Sequence, residues 1–357
     1  MLRRFSVLAI ASVVFVVGCD RDVTAPGAEK LVALRAGAAA LSLNLIELGA
    51  GSPDSSVAYG INDIGQVVGF ANVSPMWHAV VWDRSGTMSD LGVLPGGNVS
   101  VATAINGASA IVGYGDTPSG TRGFIWKPGY SAIDALPVLT GGSYAVATGL
   151  NMLGAIVGAG DDATGALRAV LWDASGISNL GTLPGGFSSY ANAINMYGDI
   201  VGWSDDPSYM MRAVAWDGAG VIRDLGTLPG DFIAEATAIN DSGYTVGFSA
   251  SWSSMHGVIW DPVGGITDLS VLPGGTNSKA TGLNLAGDIS GWADDGTGQT
   301  HAVLWQRGTH AIVDLGVLPG RTFSAGYAIN SDATVAGYSG GYGALAHATC
   351  WSFGSSC

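Results

Sequence analysis

Acidic side chains sit in adjacent pairs at three places in this 357-residue chain: Asp161 and Asp162, Asp205 and Asp206, and Asp294 and Asp295. Aromatic residues stand close by. Tyr114, Trp203, Trp292 and Tyr338 each follow a Gly inside an apolar run, and Trp77, Tyr209 and Trp252 lie in the polar stretches beyond such runs. Three chemistries fit this combination. Carboxylate oxygens are calcium ligands, although the pairs lack the D-x-D-x-D-G spacing and closing Glu of the common calcium loop. Aromatic faces beside carboxylates make a surface for sugar rings. Two Asp residues from distant parts of the chain could also act as general acid and base.

Other chemistries find no support in the sequence. There is no G-x-S-x-G, no H-E-x-x-H and no clustered Cys/His set. Calcium is the one cofactor suggested, through the six paired Asp residues. The remaining Asp readings are structural, as loop solvation and turn caps. The aromatics likewise have a structural reading, as packing between repeated units.

The elements that must position these residues repeat. An apolar residue followed by Asn recurs at Asn62, Asn106, Asn151, Asn195, Asn240, Asn284 and Asn330. A Trp recurs at Trp82, Trp126, Trp172, Trp216, Trp260, Trp305 and Trp351, and a Leu near Gly or an acid at Leu48, Leu91, Leu136, Leu180, Leu225, Leu269 and Leu315. Each anchor occurs seven times at spacings of 43 to 46 residues. Such a period means a solenoid, an array or a propeller.

Within a unit, runs of about five residues alternate with Gly, Asn, Asp and Pro, which predicts strands joined by turns. The unit from Ala191 reads ANAIN, DIVGW, RAVAW and VIRDL, giving strands a, b, c and d. Asn-x-x-Gly between a and b suits a type I turn. Leu-Pro-Gly after strand d suits a type II turn with Gly at its third position. The last unit ends after strand c, whereas LSLNLIELG near the N-terminus aligns with a lone strand d. That arrangement closes a circle and removes open strand edges. The expected fold is all-β: a seven-bladed β-propeller of four-stranded blades, sealed by the N-terminal strand completing the last blade. A linear array of the same units is the alternative.

The run D-L-G-x-L-P-G-G, A-x-A-I-N-x-x-G-x-I-V-G and H-A-V-L-W resembles the bacterial HAF repeat family of extracellular proteins, over about Leu43 to Phe353. The His-Ala-Phe element reads here as a His or Arg at His78, Arg122, Arg168, Arg212, His256, His301 and His347. The resemblance implies an extracytoplasmic repeat protein and names no activity. A polar donor at this place in every unit reads as structural.

The N-terminus gives an address. MLRRFSVLAIASVVFVVGC places Arg3 and Arg4 before an apolar run of about 14 residues, typical of a signal peptide and short for a membrane span. VVGC resembles the bacterial lipobox, so residues 1–18 are read as signal peptide, Cys19 as the lipidated residue, 19–41 as lipidated N-terminus and tether, and 42–357 as propeller. The expected location is the bacterial cell envelope, reached by secretion and held through the lipid alone. Losing Arg3 and Arg4 from 14 basic residues leaves 12 against 28 acidic ones, a charge of −16. That surface disfavours nucleic acid, which is bound through Lys and Arg. Cys350 and Cys357 are the expected disulfide, since secreted chains meet an oxidising compartment.

Antiparallel order puts the a–b and c–d turns on one face and the b–c and d–a loops on the other. The second face carries the variable loops, so function is expected there. The sequence thus predicts a monomeric binding module, with Trp77, Tyr114, Trp203, Tyr209, Trp252, Trp292 and Tyr338 contacting a carbohydrate or a cell-surface protein. A propeller glycosidase or lyase, and a purely structural envelope protein, are the alternatives.

Overall fold

The computed structural model describes residues 43–49, 55–73, 76–341 and 344–354. Cys19, the signal peptide, the tether and Cys357 lie outside the described residues. Seven four-stranded antiparallel sheets follow one another along the chain as seven blades, covering 56–92, 100–135, 145–179, 189–224, 233–268, 278–316 and 323–352. In blade 4, strand a is Ser189–Ile194, b is Ile200–Asp205, c is Met211–Trp216 and d is Ile222–Asp224. Blade 7 takes its strand d from the other end of the chain: Asn44–Glu47 pairs with Ala344–Ser352, Ile46 opposite Cys350. The ring is therefore closed as the sequence predicts, and the linear alternative falls. Cys350 is disulfide-bonded.

Each blade is covered on both sides by its neighbours. This is why strands b and c read as nearly continuous apolar runs rather than alternating ones. The recurring strand-c Trp fills the gap between blades; Trp82, Trp216, Trp260, Trp305 and Trp351 are fully buried. At about 25 cal/mol per Å² over roughly 200 Å², each contributes on the order of 5 kcal/mol of transfer free energy. Blade 2 differs: its Phe124 is fully buried and Trp126 only partly so.

The Gly in strand b has a steric cause. A Cβ on Gly69, Gly113, Gly158, Gly202, Gly247, Gly291 or Gly337 would lie 1.9–2.1 Å from the carbonyl oxygen of a strand-a residue of its own blade. Strand a carries a bulge immediately after this contact in every blade, for example between Ala191 and Ala193. The extra strand-a residue tightens the local twist and brings the two backbones together.

The Asn of the a–b turn does more than begin a turn. Its Oδ1 accepts the backbone N–H four residues on and, in most blades, also the one two residues on, as Asn240 does from Tyr244 and Ser242. Its Nδ2 donates to the backbone carbonyl of the equivalent Asn in the next blade. The links run from Asn62 to Asn106, Asn151, Asn195, Asn240, Asn284 and Asn330, then back to Asn62, at 3.0–3.4 Å. Seven buried side chains thus make an unbroken hydrogen-bonded belt around the lower end of the ring. Serines add ties between blades near the other end: the strand-c amides of Ala79, Ala169, Gly257, Ala302 and Ala348 donate to Ser100, Ser189, Ser278, Ser324 and Ser56 of the next blade.

Candidate functional site

The upper face is built from the d–a turns and b–c loops. The Leu-Pro-Gly turn has the expected geometry, with its Gly in the left-handed region (Gly96, φ 76°; Gly185, φ 79°; Gly230, φ 92°). The second Gly of the motif answers to an Asp. Oδ1 of Asp116, Asp161, Asp205 and Asp294 accepts two successive backbone N–H groups from the preceding d–a loop, at 2.6–2.8 Å. The carbonyl of the same Asp lies 2.0–2.2 Å from where a Cβ would stand on Gly97, Gly142, Gly186 or Gly275. In blade 5 the residue at the end of strand b is Ala250, the turn reads LPGD, and the Asp231 carboxylate accepts from Ser249 Oγ at 2.7 Å.

The second Asp of each pair caps its own b–c turn. Asp162 accepts from Thr164 N and Ala166 N, Asp206 from Ser208 N and Met210 N, and Asp295 from Thr297 N and Gln299 N. The Thr164 hydroxyl, with these amides and Arg168, holds the Asp162 carboxyl below the usual carboxylate range. Arg168 lies 2.9 Å from it. All six Asp residues offered as calcium ligands are therefore engaged as backbone caps. Among the described residues, no three His, Cys, Asp or Glu side chains gather as a metal set.

The His/Arg position is a cross-strand tie. His78, Arg212, His256 and His301 pair with strand-d acids Asp90, Asp224, Asp268 and Asp314, and His347 with Glu47 of the closing strand, at 2.6–3.1 Å. Arg122 and Arg168 instead donate to the carbonyls of Ser143 and Phe187, in the loop that opens the next blade.

The seven aromatic candidates divide into two groups. Tyr209 and Trp252 stand on the outer loops, whereas Trp77 lies at the start of strand c of blade 1, opposite Asn72, rather than on the b–c loop. Each is set against a second ring, Trp77 against Phe70 at 5.1 Å, Tyr209 against Phe187 at 5.0 Å and Trp252 against Phe232 at 4.7 Å between centroids. Trp252 is 90% exposed and Tyr209 69%. Tyr209 has φ 61°, in a turn where Gly165 and Gly298 serve in blades 3 and 6. A non-Gly residue kept there stores strain of about 1 kcal/mol or more.

Tyr114, Trp203, Trp292 and Tyr338 instead lie half-buried on strand b, the strand next to the innermost strand a. Their strand-a partners are Val101, Tyr190, Lys279 and Ala325. Tyr190 and Trp203 are parallel to 7° at 6.2 Å. Tyr59, Tyr327 and Tyr338 cluster on the opposite side of the mouth, with centroids 5.2 and 5.7 Å apart. Burial pushes all these phenols up. Tyr144 reaches about 12, with Tyr114 and Asp161 adding to the burial effect. Tyr190 is raised by burial, then by Tyr144, Tyr114 and Glu235. They remain neutral hydrogen-bonding groups at ordinary pH.

Sequence reasoning passed over three residues at this mouth. Asn192 Nδ2 donates to Glu235 Oε1 at 2.9 Å and to Ala236 O at 2.7 Å. Lys279 Nζ donates to Glu235 Oε2 at 2.9 Å and sits 4.8 Å from the centre of the Phe248 ring. The signal was present in the repeat: the place of Glu235 and Lys279 is Val in three units and Ala in one, and the place of Asn192 is Thr in four. Asn192 also lines an axial cavity of about 230 Å³, walled by all seven blades. Thr103, Thr148, Thr237 and Thr281 there donate their hydroxyls to strand-a carbonyls of the next blade.

No protein-family model matches the chain, and no curated protein matches it in sequence. Solved structures match in fold. A streptogramin B lyase is 14% identical, with a TM-score of 0.53 over 87% of this chain and 97% of that one. A puromycin-hydrolyzing peptidase of Mycobacterium tuberculosis is 14% identical, with a TM-score of 0.52 over 86% of this chain and 50% of its own. A puromycin hydrolase is similar at 14% identity and a TM-score of 0.50, over 82% and 51%. At these identities the likeness shows the propeller fold alone, and function has to be argued from the site.

Proposed function

We propose that this protein is a binding module of the bacterial cell envelope, secreted, anchored through Cys19, monomeric, and directed to carbohydrate rather than nucleic acid. The observation that carries the reading is the set of paired, exposed rings on the upper loops, Tyr209 on Phe187 and Trp252 on Phe232. Paired rings of this kind offer apolar faces on which a sugar ring can lie, with polar groups at their edges. The left-handed backbone of Tyr209 supports the same reading, because a Gly there would relieve strain at the expense of the ring. A propeller hydrolase would need acids from several blades converging on the axis. Among the described residues, those walling the axial cavity include no carboxylate. The one Glu at the mouth is tied to Lys279 and Asn192.

A glycan panel presented to the purified protein tests this. Selective binding is expected, with no cleavage of the bound sugar. Trp252→Ala should weaken it at least tenfold, about 1.4 kcal/mol, with an unchanged melting temperature because the side chain is almost wholly exposed. Silence across the panel would overturn the carbohydrate reading and leave a protein partner as the better account.

A further inference from the structure

Seven equivalent places ring the upper mouth of the axis, one on each strand a opposite the strand-b aromatic position. Blades 1, 2, 3 and 7 fill them with Val57, Val101, Val146 and Ala325. Blades 4, 5 and 6 fill them with Tyr190, Glu235 and Lys279. Two residues on, blades 2, 3, 5 and 6 have Thr, whereas blade 4 has Asn192. The fold is content with Val at this place, so blade packing does not require the polar set. Glu235 and Lys279 side chains are only 18% and 19% exposed. Burying an ion pair to that degree is no dependable source of stability compared with apolar residues of similar size. The departures from the repeat are also contiguous, in three successive blades around one point.

We infer that blades 4 to 6 form a recognition site at the axial mouth for the terminal unit of an uncharged saccharide, with Glu235, Lys279 and Asn192 as its polar contacts and Tyr190, Trp203 and Trp292 as its aromatic walls. The proposal rests on the carbohydrate reading above and deepens it. The charge of the site sets the ligand class. Glu235 and Lys279 cancel, so an anion meets the carboxylate and a cation meets the ammonium, and neither gains a net partner. A neutral ligand with neighbouring hydroxyls uses both. One hydroxyl donates to Glu235, which has lone pairs left after accepting from Asn192 and Lys279, and the next accepts from a free Lys279 N–H. The 2.9 Å between Nζ and Oε2 is close to the spacing of adjacent oxygens in a vicinal diol. Both Asn192 Nδ2 hydrogens are engaged, which leaves its amide oxygen as the remaining hydrogen-bonding atom of that side chain.

The depth of the site sets the mode of entry. The axial cavity of about 230 Å³ is smaller than the roughly 300–1,000 Å³ usual for small-molecule pockets, and its threonine hydroxyls are already donated to backbone. A saccharide therefore enters by its end and goes one unit deep. Units further along the chain leave toward the outer loops of blades 4 and 5, where the Phe187–Tyr209 and Phe232–Trp252 pairs stand.

Calorimetric titration of the purified protein with neutral mono- and oligosaccharides, and with glucuronate and glucosamine as charged controls, tests the assignment. Glu235→Val together with Lys279→Val restores the residue that three other blades carry, so the melting temperature should stay near that of the parent. The double variant is expected to lose monosaccharide binding at least tenfold. Trp252→Ala should leave monosaccharide binding intact and weaken oligosaccharides only. If the double variant binds as the parent does while Trp252→Ala abolishes binding, the axial site falls and the carbohydrate reading stands. Preferential binding of a charged sugar would overturn the assignment of ligand class. If no saccharide binds, both fall together.

Discussion

The turn asparagines at the lower end of the ring and the strand-a residues at its upper mouth occupy equivalent places in every blade, yet they behave oppositely. Asn is present seven times out of seven below, and its side chain spends every hydrogen-bonding atom on the fold. Above, the same register holds Val in three blades, Ala in one, and Tyr, Glu and Lys in the rest. A position whose side chain closes a ring of mutual contacts has no freedom to vary, because each member satisfies the carbonyl of another. A position that packs between blades without closing such a ring carries no such obligation. The lower end is where the repeat is enforced, and the upper end is where one blade can differ from the next.

The largest expected effect belongs to the framework both ends share. Gly247→Ala places a methyl 1.9 Å from the Glu235 carbonyl oxygen, and relief requires moving backbone rather than a side chain. The expected loss is about 3 kcal/mol or more, read as a lower urea midpoint, and the same should follow at Gly69, opposite the Val57 carbonyl, in a blade without the polar residues. Equal losses would show that the glycine serves the bulge in all blades. A mild effect at Gly69 alone would tie it to the mouth of blades 4 to 6.

The belt comes next. Asn240→Ala removes the two turn caps and the link to Asn284 at once, with an expected cost of about 2–3 kcal/mol. Asn240→Asp keeps the acceptor for Ser242 and Tyr244 and replaces the donor to the next blade with a carboxylate oxygen beside the Asn284 carbonyl, so its cost reports the link rather than the turn. If the two variants unfold alike, the link between blades, rather than the turn, carries the stabilisation.

Much of this architecture was legible in the residues. The period, four strands per unit, both turn types and the closing strand follow from spacing and from which residues tolerate which φ. Contacts between units were not legible, because residues about 45 apart meet only when neighbouring blades pack face to face. Asn240 could be read as the start of a turn but not as a donor to Asn284. Glu235 and Lys279 looked like unrelated charges in separate units. Trp203 and Tyr209 looked like one aromatic group, being six residues apart, but Trp203 lies on strand b near the axis and Tyr209 on an outer loop. The correspondence between LPGG and a strand-b Asp was visible as a correlation across units, while its steric reason needed the distance from Gly to the Asp carbonyl.

The finest test sets one backbone change on each face. Ala333 at the lower end has φ 59° in the turn where five other blades use Gly, and Tyr209 at the upper end has φ 61° where blades 3 and 6 use Gly. Ala333→Gly and Tyr209→Gly relieve the same left-handed strain, set against the greater unfolded-state freedom of Gly. Each is expected to raise stability by a few tenths to about 1 kcal/mol, measured by thermal unfolding. They should part company in binding. Ala333→Gly should leave oligosaccharide affinity unchanged, whereas Tyr209→Gly removes a ring from the stacked pair and should lower it several-fold. A Tyr209→Gly protein that is both more stable and fully active would mean that the strained tyrosine has no use in recognition. The opposite result would identify Tyr209 as a place where this fold gives up stability to keep a binding surface.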